Sequence, residues 1–217
     1  MKYGYFRTNV VYSSYVEIAA EEFLKYIKLI EEKKNLNSIE NFDEEQDCIL
    51  EKRIHQSYIK IIIFAGLAVE AYIYDVAAIE LTDKFVLKHL DKLSVQDKYV
   101  VIARIISGKN IDTSKEWYSL LKKMISARND LVHSKTKAVD GARLNSDPEY
   151  FNLITKDDSK ITPKEAIKLL FLITEEIQRL ENVEHNFPHL VSKDIKIVLD
   201  ADMDLYEKAY KIVTSDV

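Results

Sequence analysis

Glycine and proline are so scarce in this chain that their rarity is the strongest constraint on its fold. Only four glycines and three prolines occur in 217 residues, against an average usage of about 12% for the two types together. A β-sandwich, a β-barrel or a glycine-cradled nucleotide fold needs many tight turns and residues that tolerate positive φ. The glycines here are isolated, and no GxGxxG or Walker loop is present. The composition therefore favours a helical fold.

Composition also bounds the size and the setting of the protein. With 47% hydrophobic and 31% charged residues the chain is globular, and its length suits one domain of roughly 150 to 200 residues with extensions. Cys48 is the single cysteine, which excludes an internal disulfide and any multi-cysteine zinc site. A reducing compartment fits this usage, and we expect a cytoplasmic protein.

The longest apolar run, residues 61–69, does not extend to membrane-spanning length without acidic residues. Extension takes in Glu70 and Asp75, and an acid at mid-bilayer costs ~3 kcal/mol on insertion scales. The N-terminus lacks an uninterrupted apolar segment of the signal-peptide type. We therefore expect a buried helix of a soluble protein and no membrane partner.

Charge is distributed unevenly. The net charge is −5, yet residues 115–143 carry seven basic side chains against three acidic ones. A generic duplex binder would be basic overall, so an anionic partner is expected to bind locally, around this segment. The alternative is an ordinary solvated lysine face.

Apolar periodicity predicts a series of helices. Steps of three and four place helices at about 10–34, from 43 or 44 to about 81, at 82–90 and at about 94–108. Ser94 is the predicted N-cap of the fourth, and Gly108 ends it. The second half of the long second helix is apolar on all sides, which is typical of a helix at the centre of a bundle.

Two capping boxes predict the starts of the next helices. Thr113 with Glu116 precedes one apolar stripe, and Thr162-Pro163-x-Glu165 precedes another. Between them the periodicity is lost, and residues 150–162 are compatible with a small β-hairpin before the last core helix. A tail follows, with a short helix predicted over about 201–213.

Arg128 occupies a position where the helical pattern predicts a hydrophobic side chain. Glu70 presents the complementary anomaly, because its carboxylate falls in the most apolar helix. Neither charge is expected to be buried unpaired, so we predict that they pair. The remaining guanidinium donors would then be suited to gripping a phosphate. The alternative is a buried structural salt bridge.

Arg128 is the first residue of the sequence RNDLVH, which ends at His133. Asn129 and His133 lie one turn apart on a helix, but Arg128 and His133 are separated by about 140°. They can converge only if the helix ends at His133 or if two copies of the motif face each other across a twofold axis.

This RNxxxH motif, in a predicted helical setting, resembles that of the HEPN domains (higher eukaryotes and prokaryotes nucleotide-binding). The resemblance rests on Arg128, Asn129 and His133 and covers residues 44–182. It implies an all-α, up-and-down helical bundle over that range. Residues 1–43 would form an N-terminal helical extension, and residues 183–217 a C-terminal tail with a short helix.

The resemblance implies metal-independent RNA cleavage at a homodimer cleft, leaving a 2′,3′-cyclic phosphate, with no cofactor. His133 would transfer protons, Arg128 would hold the scissile phosphate, and Asn129 would fix the ring or the helix end, with Glu70 and Asp130 in support. RNA would also contact the nearby lysines, Lys122, Lys123, Lys135 and Lys137. Many members of the family are toxins or antiphage effectors that a partner protein, such as an antitoxin, silences. One toxin branch has a tyrosine two residues after the histidine, where this chain has Lys135.

A second hypothesis comes from another functional class. In it the chain is a catalytically silent helical module that binds a protein partner or a nucleotide through the same cleft. RNDLVH would then be a polar network that fixes the register of a dimer. A third interpretation is a helical scaffold in which the motif is coincidental.

Overall fold

The computed structural model describes residues 11–36, 44–133, 160–180 and 203–215, and this part of the chain is helical without strands. It contains seven helices, so the predicted all-α class is confirmed. Their bounds are α1 Tyr12–Leu36, α2 Glu44–Leu81, α3 Asp83–Phe85 continuing into a π-helical turn Val86–Leu90, α4 Val95–Ser107, α5 Glu116–Val132, α6 Pro163–Gln178 and α7 Met203–Thr214.

α1 and α2 pack antiparallel, and polar contacts mark their register. Glu22 of α1 accepts hydrogen bonds from the Ser57 hydroxyl at 2.9 Å and from Lys60 Nζ at 2.8 Å. Further along α1, Lys33 pairs with Glu51, which lies nearer the start of α2. Partial burial acts to raise the pKa of Glu22, but the bonds from Lys60 and Ser57 outweigh it and lower that pKa. The ionised carboxylate of Glu22 therefore links α1 to α2.

α2 is the central helix of the bundle. Its second half contributes Ile62, Val69 and Tyr72 to the same core that receives Val16 and Phe23 from α1. By length and composition α2 could cross a membrane, but 61% of its most apolar window is buried inside the protein. Its apolar surface is thus covered by the other helices, as in the core helix of a bundle.

α5, α6 and α7 follow one another in antiparallel order. Lys123 contacts Glu165 at 3.1 Å, and Lys115 contacts Glu176 at 2.7 Å, so the start of α5 lies beside the end of α6. Phe171 of α6 packs edge-on against Tyr210 of α7. The opposite directions of α5 and α6 match the predicted up-and-down arrangement, whereas α7 lies in the range predicted as a C-terminal tail.

Three of the four predicted helix caps are confirmed. Ser94 caps α4 by accepting from the Asp97 N–H at 3.1 Å, and Gly108 ends α4 in the left-handed region at φ 70°. Thr162 and Glu165 form the full reciprocal capping box of α6, with Pro163 at the first helical position.

The predicted capping box of α5 at Thr113 is wrong. α5 begins at Glu116 after Lys115, whose side chain makes no capping bond. Asp112 organises the preceding turn instead, because its carboxylate accepts from the backbone N–H of Ser114 at 3.0 Å and from its hydroxyl at 2.6 Å. These bonds lower the pKa of Asp112. An Asx-turn has displaced the box.

The junction of α2 and α3 contains an unusual backbone conformation. Thr82 has φ 76° and ψ 147°, a region that β-branched residues rarely enter. Thr82 separates the end of α2 from α3. The short helix predicted over 82–90 is present as α3 and the turn that follows it, but this second half is π-helical.

Some expectations fall outside the described residues. The β-hairpin predicted over 150–162 lies mostly there, and its described end, residues 160–162, forms the bend and cap that lead into α6. Residues 183–202 of the predicted C-terminal tail also lie outside, whereas the predicted short helix corresponds to α7.

Candidate functional site

Arg128 and Glu70 form the ion pair that the sequence predicts. Nη1 of Arg128 donates to Oε2 of Glu70 at 2.6 Å, across the contact between α5 and α2. The arginine side chain is 16% exposed and the glutamate side chain 38% exposed, so the pair lies at the edge of the core. This placement explains why a guanidinium interrupts an apolar stripe: its stem packs inward while its head meets a carboxylate.

Gly66 makes room for that arginine, and sequence reasoning missed it. A Cβ atom at Gly66 would lie 2.9 Å from Cδ of Arg128, and 3.2 Å from its Cβ and Cγ. Gly66 precedes Glu70 by one helical turn, so a single face of α2 receives both the stem and the head of the arginine. An isolated glycine inside an apolar helix is the signal that could have indicated such a close approach.

The Nε donor of the Arg128 guanidinium is not used in the ion pair. Nε of Arg128 is buried and has no hydrogen-bond partner among the described residues. A buried donor without a partner is costly, so this nitrogen lowers the net contribution of the ion pair to stability.

His133 occupies the exposed end of the same helix. α5 ends at Val132, and His133 is its C-cap residue, with φ −106° and ψ 14°. Its backbone N–H donates to the carbonyl of Asn129 at 2.9 Å. Of the two arrangements that would let the motif converge, the first is therefore present: the helix ends where the ring can leave the helical path.

The structure does not bring the imidazole to the guanidinium. Within the described residues no hydrogen bond or ion pair joins His133 to Arg128, and none involves the side chain of Asn129. Asn129 and His133 are both exposed, whereas Arg128 is half-buried. The three motif residues share one end of α5, with the histidine and asparagine open to solvent.

Asp130 makes a separate contact. Its carboxylate pairs with Lys160 Nζ at 2.5 Å, and the same nitrogen lies 2.9 Å from the Ser126 hydroxyl. These bonds tie the end of α5 to the segment that leads into α6. Asp130 thus holds the end of the helix and does not contact Arg128.

The four lysines predicted to bind RNA differ in placement. Lys122 is exposed, with its Nζ 4.5 Å from the centre of the Tyr118 ring. Lys123 is engaged with Glu165 at the start of α6. Lys135 and Lys137 lie outside the described residues.

No cluster of three or more histidine, cysteine, aspartate or glutamate side chains that could hold a metal ion occurs in the described ranges. Among the described residues, the end of α5 carries one imidazole, one guanidinium and their polar neighbours.

A groove adjoins this helix end on another side. It has a volume of about 970 Å³ and lies between α1, the first half of α2, the end of α5 and the start of α6. Asp130 and Leu131 line it, but Arg128, Glu70 and His133 do not.

Compared with known protein families, with curated proteins and with solved structures, the chain matches none of them. A function for this chain is therefore inferred from the residues at the end of α5.

Proposed function

We propose that this protein is a metal-independent endoribonuclease that acts at a cleft formed by two copies of the chain. The observation that carries the proposal is the arrangement at the end of α5, where Glu70 holds Arg128 and the C-cap residue His133 is exposed. The resemblance of RNxxxH to the HEPN motif supplies the reaction class.

In this reaction the ribose 2′-oxygen attacks the adjacent phosphorus and the bond to the 5′-oxygen breaks. One imidazole takes the proton of the 2′-hydroxyl, and the imidazolium of the second copy protonates the departing 5′-oxygen. The products are a 2′,3′-cyclic phosphate and a 5′-hydroxyl. Histidine suits both proton transfers because it titrates near neutral pH.

Arg128 would offset the charge that builds on the phosphate oxygens in the transition state. Its Nη1 is taken by Glu70, but the guanidinium carries five N–H donors, and the terminal ones that Glu70 does not use are those proposed to reach the phosphate, since Nε is buried. Glu70 is a positioning residue in this scheme, since it fixes the plane of the guanidinium without touching the substrate.

The biological setting follows the resemblance. We place the protein in the cytoplasm, as a toxin or an antiphage effector with an antitoxin or another regulatory protein as partner. The motif residues and the single cysteine of the chain support this setting.

The proposal is tested by incubating total RNA with the purified protein in the presence of EDTA. Wild type is expected to leave 2′,3′-cyclic phosphate ends. His133→Ala and Arg128→Ala should each lower the rate by about a hundredfold or more, the range for loss of a proton-transfer group or of a charge-stabilising donor. Arg53→Ala and His89→Ala, which change the same residue types at exposed sites elsewhere, should retain the wild-type rate.

A second candidate function has its own supporting observation. Arg128 is already paired with Glu70 and is only 16% exposed, as expected of a polar contact that fixes the packing of α5 on α2. The protein would then be a silent helical module that binds a protein partner or a nucleotide. Absence of cleavage on several RNAs, or a His133→Ala protein as active as wild type, would favour this function over the first.

A further inference from the structure

The groove beside α5 has the dimensions of a small-molecule site. Its volume of about 970 Å³ lies at the upper end of the range typical of ligand pockets, about 300 to 1,000 Å³. Four segments of the chain contribute to it, so its shape depends on the packing of α1, α2, α5 and α6.

The groove walls are apolar and aromatic. Ile30 of α1, Ile54 of α2 and Leu131 of α5 line the groove, and Tyr26 and Tyr58 add ring surface. The ring of Tyr58 lies nearly parallel to that of His55, at an interplanar angle of 18° and a centroid distance of 6.4 Å. Such walls favour a flat aromatic ligand, because ring faces contribute both apolar area and stacking.

The charges of the groove leave one cation uncommitted. Lys33 pairs with Glu51, and Lys160 pairs with Asp130. Lys52 also lines the groove, is exposed, and has no ion-pair partner among the described residues. Among the described lining residues, Lys52 is therefore the cation that could pair with one negative charge on a ligand.

We propose that this groove binds a small aromatic monoanion, with its ring against the apolar wall and its anionic group at Lys52. The observations favour a small molecule over an RNA strand, because a strand presents a phosphate at every nucleotide and needs several free cations along its path. Asp130 and Leu131 of the motif segment line the groove, but Arg128 and His133 do not, so binding there can be measured without RNA cleavage.

Anilinonaphthalene sulfonate, a fluorescent aromatic monoanion, is a suitable probe, and phenylnaphthylamine carries the same rings without the charge. We expect saturable binding of one sulfonate probe per chain, and binding of the neutral analogue weaker by about tenfold. Lys52→Gln should weaken the sulfonate by a similar factor and leave the neutral analogue unaffected, since it removes a charge-assisted contact. Lys84→Gln, an exposed lysine outside the groove, should change neither affinity.

Cys48 gives an independent readout that does not disturb packing, since it is exposed, lines the groove and is the single thiol of the chain. Attachment of a bulky maleimide should abolish probe binding. Cys48→Ser protein treated in the same way should still bind. The bound probe should in turn slow the reaction of the thiol with maleimide.

Three results would overturn the proposal. The first is equal affinity of wild type and Lys52→Gln for the sulfonate. The second is probe binding that survives maleimide attachment. The third is displacement of the probe by single-stranded hexauridine but not by a mononucleotide, which would assign the groove to RNA.

Discussion

At the scale of single residues, the contact of Gly66 with Arg128 is the least tolerant feature of the candidate site. A glycine inside a helix is usually a weak point, and replacement by alanine then raises stability by about 0.5–1 kcal/mol. At Gly66 the new methyl group would lie 2.9 Å from Cδ of Arg128, so the arginine stem would have to move. We predict that Gly66→Ala lowers the free energy of unfolding by about 1 kcal/mol, the low end for overpacking, as measured by urea denaturation.

The same substitution should change sign when the arginine is absent. In an Arg128→Ala background the obstructing stem is gone, and Gly66→Ala should raise stability as in an ordinary helix. An equal effect in both backgrounds would show that the arginine stem is not what restricts this position.

The pairing of Arg128 with Glu70 could be predicted because each residue alone violates its helical pattern. Two opposite charges at apolar positions have few ways to be satisfied, and pairing is the simplest. Gly66 could not be assigned in the same way, because its role depends on how closely α5 crosses α2. That distance is set by the packing of the whole core, which a local pattern does not encode.

At the scale of elements, the start of α6 should make stability dependent on pH. Partial burial acts to raise the pKa of Glu165, but the backbone N–H of Thr162 and the ammonium of Lys123 outweigh it and lower that pKa. A carboxyl whose pKa is lowered on folding stabilises the protein above its ordinary value of 4.5, and the contribution is lost as pH falls through the folded value. Glu165→Gln keeps a side chain that can complete the capping box and removes the charge, so we predict that it is about 0.5 kcal/mol less stable than wild type at neutral pH. Urea titrations at several pH values measure the difference in free energy of unfolding between wild type and Glu165→Gln, which should become smaller in acid. A difference that does not change with pH would contradict the assigned cause.

The two predicted capping boxes, of which only the one at α6 is present, illustrate what a local pattern predicts and what it does not. Thr162 caps α6 because Pro163 fixes the first helical residue and Glu165 completes the reciprocal bonds. Thr113 does not cap α5, although its spacing from Glu116 is the same. There Asp112 captures the backbone of Ser114, and a spacing rule does not include that competitor.

The junction between α2 and α3 allows a direct test of backbone strain. At φ 76° the Cβ of Thr82 is disfavoured, whereas glycine enters this region freely. Thr82→Ala removes the hydroxyl and keeps the Cβ, so it is the matched control for Thr82→Gly. We predict that the glycine variant is more stable than the alanine variant by about 1 kcal/mol, the reverse of the usual order, in paired thermal or urea unfolding experiments. The usual order, with alanine more stable, would show that the junction is not strained.

At the scale of the whole molecule, the helical class and the course of the long helices were predictable because few residues interrupt their periodicity. The second helix, which is predicted to run from residue 43 or 44 to about 81, spans Glu44–Leu81. Convergence of Arg128 and His133 is a different kind of question. Their separation of about 140° on a regular helix could be closed by the helix end or by a second copy. In the single chain α5 does end at His133, but no hydrogen bond or ion pair among the described residues joins the two side chains.

The proposed cleft between two copies of the chain predicts that the protein sediments as a dimer at micromolar concentration and that the end of α5 is part of the interface. Val132 is 58% exposed and follows Arg128 by one helical turn, so it presents apolar surface next to the ion pair. Val132→Glu should therefore convert the dimer to a folded monomer and abolish RNA cleavage, because little of this side chain is buried within the single chain. Any fall in the melting temperature should be no larger than loss of the dimer accounts for. Leu87→Glu introduces the same charge at a residue that is 59% exposed on the π-helical turn, and it should remain dimeric and active.

Sedimentation velocity and the EDTA-resistant cleavage assay measure the two properties separately. A Val132→Glu monomer that still cleaves RNA would place the reaction within one chain, and a Val132→Glu dimer would place the interface on another face.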